Sequence, residues 1–186
     1  SEPSLSAAQG FRVTANAATS WDRNINLNSQ GTPKIAVQPV GAMRIAGQSV
    51  AFSVEATGTP LEYQWRFNGL NIAGANAATL ELASVEQSNA GAYAAYIKNP
   101  FGNILSDAAS LVVHYTLDVA GAGWGAVTHT PELVSYPNRA RVVLNATPSK
   151  GYVFTSWSGA ASGTANPLAV TMDANKSITG SFTRDV

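Results

Sequence analysis

The stretch LEYQWRF at residues 61–67, followed at once by NG at residues 68–69, decides how the rest of the chain is interpreted. Its aromatic side chains, Tyr63, Trp65 and Phe67, alternate with polar ones. A period of two is typical of a strand with one buried face, and an Asn-Gly pair is typical of a tight hairpin turn. We therefore predict a β-hairpin at this point, with Trp65 in the core.

A second stretch, NAGAYAA at residues 89–95, places Tyr93 two residues before Ala95. This spacing is typical of a tyrosine corner, in which the tyrosine hydroxyl bonds to the backbone a few residues upstream. Together the two stretches resemble the bacterial immunoglobulin-like family, and the resemblance extends over residues 34–114. The other matching motifs are GQSV at residues 47–50, LEL at residues 80–82, NPFGN at residues 99–103 and LVV at residues 111–113.

The chain departs from the family pattern at its two cysteine positions, which correspond to Val54 and Ala95. Cysteine is absent from the whole sequence, so disulfide frameworks and cysteine-based metal sites are excluded. A disulfide is typically worth about 2–4 kcal/mol. We expect packing around Trp65 to supply this core contact instead.

Residues 115–186 carry a different set of short alternating runs and turns, including GAGWG at residues 121–125, GYVF at residues 151–154 and WSG at residues 157–159. Their order resembles the divergent internalin-type B-repeat family. The resemblance implies a C-terminal module of the kind found on bacterial surface and secreted proteins, with Phe154, Trp157 and Phe182 in its core. The acidic residue that usually follows Trp-Ser-Gly is Ala160 here. A carboxylate-dependent role is therefore not expected at that turn.

These patterns predict an all-β protein, with a cysteine-free immunoglobulin-like β-sandwich at residues 34–114 and a small β-rich repeat-type domain at residues 115–186. Residues 1–33 are polar and rich in asparagine, and we expect them to form a linker or the tail of a preceding domain. Because no Gly/Ser-rich linker separates the two domains, we expect them to be closely coupled.

Composition argues against two classes of partner. Lysine and arginine together number 11, as do aspartate and glutamate, so the formal net charge is 0. A nucleic-acid-binding protein normally shows a basic patch or stripe, which this sequence lacks. No apolar run reaches the length needed to span a bilayer. We therefore expect neither a nucleic-acid partner nor a membrane span.

Candidate metal and cofactor motifs are weak. The two histidines, His114 and His129, have no partner at ligand spacing. We interpret Asp173-Ala174-Asn175 as a turn in preference to a calcium site. Residues 121–126 superficially match a dinucleotide fingerprint, but a strand-like run ending at Pro131 follows where a helix would have to begin. The sequence therefore predicts no metal, no cofactor and no catalytic residue.

Three aromatic residues remain as candidate ligand-binding positions: Trp124, Trp21 and Tyr96. Tyr96 points away from Tyr93 and Ala95 if the strand alternates, so it faces solvent or a neighbouring domain. Trp124 interrupts a glycine-rich hairpin, where two uses stay open. It either packs into the junction between the domains, which we favour, or offers an exposed ring to the C–H face of a sugar.

The functional expectation is a non-catalytic accessory region of a larger bacterial secreted or cell-surface protein, acting as a spacer, adhesion or interaction module. Its partners would be other domains of the same precursor. The alternative is a carbohydrate-binding module that targets an attached polysaccharide-degrading enzyme to extracellular polysaccharide. An enzyme fragment has the least support, because no Gly-x-Ser-x-Gly elbow occurs and the carboxylates imply no cleft.

Overall fold

The computed structural model describes residues 31–186, and Trp21 lies outside them. Within this range the chain forms seventeen strands and one 3₁₀ turn, Gln87–Asn89, so the all-β prediction is confirmed. No helix in this range is long and apolar enough to cross a membrane. The strands, in chain order, are β1 (Lys34–Val37), β2 (Ala42–Ile45), β3 (Val50–Ser53), β4 (Glu55–Thr57), β5 (Glu62–Phe67), β6 (Leu70–Asn71), β7 (Thr79–Leu82), β8 (Gly91–Asn99), β9 (Gly102–Leu105), β10 (Ala109–Tyr115), β11 (Leu117–Ala122), β12 (Gly125–Thr130), β13 (Tyr136–Pro137), β14 (Ala140–Pro148), β15 (Tyr152–Gly159), β16 (Leu168–Met172) and β17 (Lys176–Arg184).

The strands up to β10 have an immunoglobulin-like arrangement. The largest sheet has the order β13-β10-β8-β5-β6, with β9 paired to β8 and β2 paired to β10. The pairing of β2 with β10 is parallel, whereas β8 pairs antiparallel with both β9 and β10. Two further pairs, β3 with β7 and β1 with β4, complete this part of the chain. Short antiparallel strands joined in this way are typical of a β-sandwich.

The described chain divides into two compact units that cut across the predicted domains. The first unit contains residues 31–39, Ser53–Leu80 and Ala94–Asp107, and the second contains Val40–Phe52, Glu81–Tyr93 and Ala108–Val186. Strand β10 runs without interruption across the predicted boundary at residues 114–115. The domain limits proposed from the sequence therefore stay predictions.

The first unit is organised around the tryptophan strand, as the sequence predicts. Trp65 is fully buried, and its indole Nε1 donates a hydrogen bond to the backbone oxygen of Ala77 at 3.0 Å. Asn68 and Gly69 both have positive φ, at 48° and 85°. These angles fit the tight turn that joins β5 to β6. Val54 and Ala95, the positions of the absent cysteines, are both buried.

The second unit contains the tyrosine corner. The Tyr93 hydroxyl donates to the backbone oxygen of Asn89 at 2.7 Å, as predicted. Its ring stacks on Phe52, with ring centroids 4.7 Å apart and planes inclined by 18°. Burial raises the pKa of the Tyr93 hydroxyl above its usual value. This corner ties the start of β8 to the 3₁₀ turn that precedes it.

The rest of the second unit has two three-stranded sheets. One has the order β11-β17-β15 and the other the order β12-β14-β16. Strand β11 runs parallel to β17, and the remaining pairs are antiparallel. The two sheets bury one core between them, which includes Trp157 and Phe182 with Phe154 packed against it. The three core positions implied by the B-repeat resemblance therefore lie in or against this core.

Strand β10 reaches into this core at its last residue. Tyr115 is buried within it and pairs with Tyr136 of β13. The Tyr136 hydroxyl donates to Pro131 at 2.8 Å and accepts from the backbone nitrogen of Leu133 at 3.1 Å. The loop between β12 and β13 is thus held against the end of β10.

Candidate functional site

The turn that joins β11 to β12 is built on close packing of its backbone against Phe182. Gly123 has a φ of +97°, and a Cβ atom there would lie 2.5 Å from the Phe182 backbone oxygen. A Cβ atom on Gly125 would lie 2.5 Å from the Phe182 ring. Neither position accepts a larger residue without displacement of its neighbour. The glycines of this segment therefore serve a tight turn, which leads from β11 directly into β12 with no helix, unlike a dinucleotide fingerprint. The predicted hairpin is wrong in one respect, because β11 pairs with β17 and β12 pairs with β14, so the two strands lie in different sheets.

Trp124 lies at the tip of this turn with its ring largely in solvent. Its side chain is 66% exposed. It stacks on Tyr152, with ring centroids 5.9 Å apart and planes inclined by 25°. We call Trp124 and Tyr152 together the aromatic platform. Because the two rings stack, each covers part of one face of the other; the Trp124 ring is exposed and the Tyr152 ring is half-buried.

The backbone around the aromatic platform is held by hydrogen bonds. The backbone nitrogen of Ser149 donates to the Trp124 oxygen at 3.0 Å, and the backbone nitrogen of Tyr152 donates to the Ser149 oxygen at 3.0 Å. The turn between β14 and β15 is therefore hydrogen-bonded both to the backbone of Trp124 and to the start of β15. Both rings are placed by backbone that is already paired, so little reorganisation is needed before a ligand stacks on them.

Further aromatic contacts support the platform from inside the core. The Phe154 ring lies 5.9 Å from the Phe182 ring and 4.9 Å from the Trp157 ring. Trp157 also donates its Nε1 hydrogen to the backbone oxygen of Ala165 at 2.7 Å. The backbone on both sides of Trp124, at Gly123 and Gly125, packs closely against Phe182, which belongs to this aromatic cluster.

The expectation that Trp124 is buried at the junction between the two predicted domains is wrong. Strand β11 starts next to that junction, at Leu117, and pairs with β17 as far as Ala122. At about 3.3 Å per residue, these six paired residues extend the chain roughly 17 Å from the junction before the turn that contains Trp124 begins. Trp124 therefore lies at the far end of the strand, exposed and stacked on Tyr152.

Tyr96 lies on the opposite strand face from Tyr93 and Ala95, as predicted, because those two are buried and Tyr96 is half-buried. The guanidinium carbon of Arg66 sits 4.5 Å from the centre of its ring. This cation–π contact occupies one face of the phenol. Tyr96 and Trp124 belong to different compact units, and Trp21 lies outside the described residues.

Sequence reasoning missed Tyr152 and Arg184. These two are directly opposite each other on β15 and β17, so Arg184 lies beside the Tyr152 of the platform. The one available signal was that Tyr152 precedes the core residue Phe154 by two positions, which places both on one strand face. The stacking of Trp124 on Tyr152 has no local sequence signature, because it depends on how the turn between β11 and β12 lies over β17.

The polar groups of this unit show structural uses. The turn at residues 173–175 is confirmed: Asp173 forms an ion pair with Lys176 at 2.7 Å, and this hydrogen bond lowers the pKa of the Asp173 carboxyl.

His114 Nδ1 lies 3.1 Å from Ser135 Oγ. Within residues 31–186, His114 forms no hydrogen bond or ion pair with a carboxylate, although a Ser-His-Asp triad would require one. The same residues contain no group of three acidic or histidine side chains that could hold a metal ion.

Comparison with known families supports the interpretation of the second half of the chain. A family model described as "Divergent InlB B-repeat domain" matches residues 115–186. Among curated proteins, cartilage intermediate layer protein 2 of Mus musculus is 33% identical over 115 residues. That match covers 59% of this chain and 10% of the mouse protein, so the chain spans about a tenth of its relative's length.

Solved structures of immunoglobulin domains are among those with a fold similar to this chain's. Sidekick-1 immunoglobulin domains 1–5 match at a TM-score of 0.47 and 16% identity, over 82% of this chain and 38% of that one. The titin M4 domain matches at a TM-score of 0.41 and 22% identity, over 45% of this chain and 97% of that one.

Proposed function

We propose that this chain is a non-catalytic accessory region of a larger secreted or cell-surface protein of bacterial type, and that it binds extracellular carbohydrate through the aromatic platform. The observation that carries the proposal is the exposed Trp124 ring stacked on Tyr152. The match of residues 115–186 to a repeat domain of surface-protein type supports the accessory role and its location.

The size of the aromatic platform favours a sugar over a protein partner. A whole aromatic side chain offers about 150–250 Å² of contact area, so two partly exposed rings offer at most roughly 300 Å². A stable protein interface needs about 800 Å² per partner. A pyranose ring has one apolar C–H face, and the exposed indole of Trp124 provides a matching flat surface.

The expected affinity of a single site is low. If about 100 Å² of apolar surface leaves water, stacking contributes about 2.5 kcal/mol at about 25 cal/mol per Å². This is less than the 4.1 kcal/mol that corresponds to a Kd of about 1 mM. Useful retention then depends on a polymer that offers many sites, or on several modules in one protein.

The test is affinity electrophoresis of the protein in gels that contain soluble polysaccharides, together with pull-down on insoluble ones. Trp124→Ala should abolish retention and leave the melting temperature nearly unchanged. Phe101→Ala is the matched control, because Phe101 is also an aromatic residue in a turn between two strands and its side chain is 52% exposed. This substitution should leave retention intact. Retention that survives Trp124→Ala, or no retention on any polysaccharide, would overturn the carbohydrate-binding role.

A second candidate is a spacer that holds other domains of the same precursor. The pairing of Tyr115 with Tyr136 at the end of β10 favours it, because Tyr115 is buried in the core of the following sheets. Nitrogen-15 relaxation provides the test. A spacer requires that residues on both sides of Tyr115 within the second unit tumble with one correlation time, and two separate times would exclude it.

A further inference from the structure

We infer that the carbohydrate bound by the aromatic platform is acidic, and that Arg184 contacts its anionic group. This inference rests on the proposed function, since it needs a ligand on Trp124 and Tyr152. It goes further by assigning the chemical class of the sugar and one residue that selects it.

The position of Arg184 follows from strand register. Tyr152 and Arg184 are direct partners in the antiparallel pair of β15 and β17. Direct partners of this kind have Cβ atoms about 4.5–5.5 Å apart and project from the same face of the sheet. Because Trp124 stacks on Tyr152, a sugar ring on the platform lies within the reach of an arginine side chain at position 184.

The Arg184 guanidinium is available for such a contact. The residue is exposed. The recorded ion pairs of residues 31–186 join Lys98 to Glu62 and Lys176 to Asp173, so Arg184 has no carboxylate partner in this part of the chain. An arginine presents planar paired donors that match a carboxylate or sulfate in a bidentate manner.

The local charge has the right sign, although the chain as a whole is neutral. Lys150 lies in the turn that leads into β15, and Asp185 follows Arg184 directly; both are exposed. Together with Arg184, these groups carry a net charge of +1, whereas the formal net charge of the whole chain is 0. The backbone nitrogen of Asp185 donates to the Gly151 oxygen at 2.9 Å, which ties the end of β17 to the same turn. The excess of one positive charge therefore sits beside the aromatic platform.

A matched pair of polymers isolates the charge. Polygalacturonate and its fully methyl-esterified form have the same sugar backbone, and the ester lacks the negative charge. In affinity electrophoresis at low salt, we expect the wild-type protein to bind polygalacturonate about tenfold more tightly than the ester. Dextran sulfate compared with dextran then distinguishes a preference for sulfate from one for carboxylate.

Arg184→Gln should remove the preference for the acidic polymer and leave binding to the ester unchanged. Arg141→Gln is the matched control, because Arg141 is also an exposed arginine of a β-strand, in β14, and its loss changes the net charge equally. That control should keep the tenfold preference. Equal retention of wild-type protein by single-stranded DNA would overturn the inference, because it would indicate non-specific charge attraction.

The outcomes separate the two proposals. If Trp124→Ala abolishes retention on both polymers while Arg184→Gln changes neither, the platform binds carbohydrate and the assignment of Arg184 is wrong. If Arg184→Gln and Arg141→Gln reduce retention equally, the effect is one of net charge and the inference again fails. If the wild-type protein is retained by neither polymer nor by any other polysaccharide, the proposed function itself fails.

Discussion

Asn175 donates its side-chain amide to the backbone oxygen of Ala46 at 3.1 Å, across 129 positions of the chain. The same side chain accepts a hydrogen bond from the backbone nitrogen of Thr116 at 3.0 Å. One residue in the turn before β17 therefore joins the end of β2 to the segment that follows β10. These contacts lie within the second compact unit, and they explain why an amide stands at this turn.

Asn175→Ala should destabilise the second unit, because the change leaves the Ala46 oxygen and the Thr116 nitrogen without this partner. Each hydrogen bond contributes about 0.5–1.5 kcal/mol, and exposure to water favours the lower value. We expect a loss of about 1 kcal/mol and a melting temperature about 2–4 °C lower. Asn145→Ala is the control, because Asn145 is exposed in a strand and its side chain forms no hydrogen bond with residues 31–186. Equal melting temperatures for the two variants would contradict the role of Asn175.

Tyr93→Phe tests the tyrosine corner through pH. Burial raises the pKa of the Tyr93 hydroxyl, so the unfolded chain ionises at a lower pH than the folded one. The stabilisation is complete below the unfolded pKa of about 10 and is lost as pH rises through the folded pKa. Urea unfolding between about pH 8 and about pH 11 should show a wild-type advantage that shrinks at alkaline pH. In Tyr63→Phe the alkaline loss should persist, since Tyr93 is retained; a constant gap between wild type and Tyr93→Phe would refute the explanation.

Trp65→Ala and Trp124→Ala should differ sharply in stability although both remove an indole. Trp65 is fully buried whereas Trp124 is 66% exposed. Removal of a core aromatic side chain costs about 3–5 kcal/mol, and removal of an exposed one costs within about 0.5 kcal/mol. Denaturant unfolding followed by circular dichroism measures both. Similar losses for the two variants would mean that the burial of one of them is misassigned.

Gly125→Ala should destabilise the turn that carries Trp124, because the new methyl group would lie 2.5 Å from the Phe182 ring. Overpacking of this kind costs about 1–3 kcal/mol. Phe182→Leu in the same chain should recover part of the loss, and a double-mutant cycle measures this coupling. Strictly additive effects of the two substitutions would show that the methyl group and the ring do not meet.

The first half of the fold was predictable because its signals are local. The alternation around Trp65, the Asn-Gly turn and the spacing of Tyr93 are properties of a few adjacent residues, and each predicts one backbone geometry. The absence of cysteine decided equally directly that Val54 and Ala95 pack without a bridge. In the second half, the glycines around Trp124 correctly indicated a tight turn between two strands, but not that these strands pair with different partners.

Only the tertiary structure decided where that turn places Trp124. The exposure of Trp124 depends on the parallel pairing of β11 with β17, which carries the tip away from the junction and lays it over Phe182. Tyr152 and Arg184 join Trp124 because their strands are neighbours in a sheet, although they are distant in the sequence. The same is true of Asn175 and Ala46. A sequence specifies the faces of its strands through local periodicity, but the choice of neighbouring strands comes from burial of the whole core, and the candidate site is made by that choice.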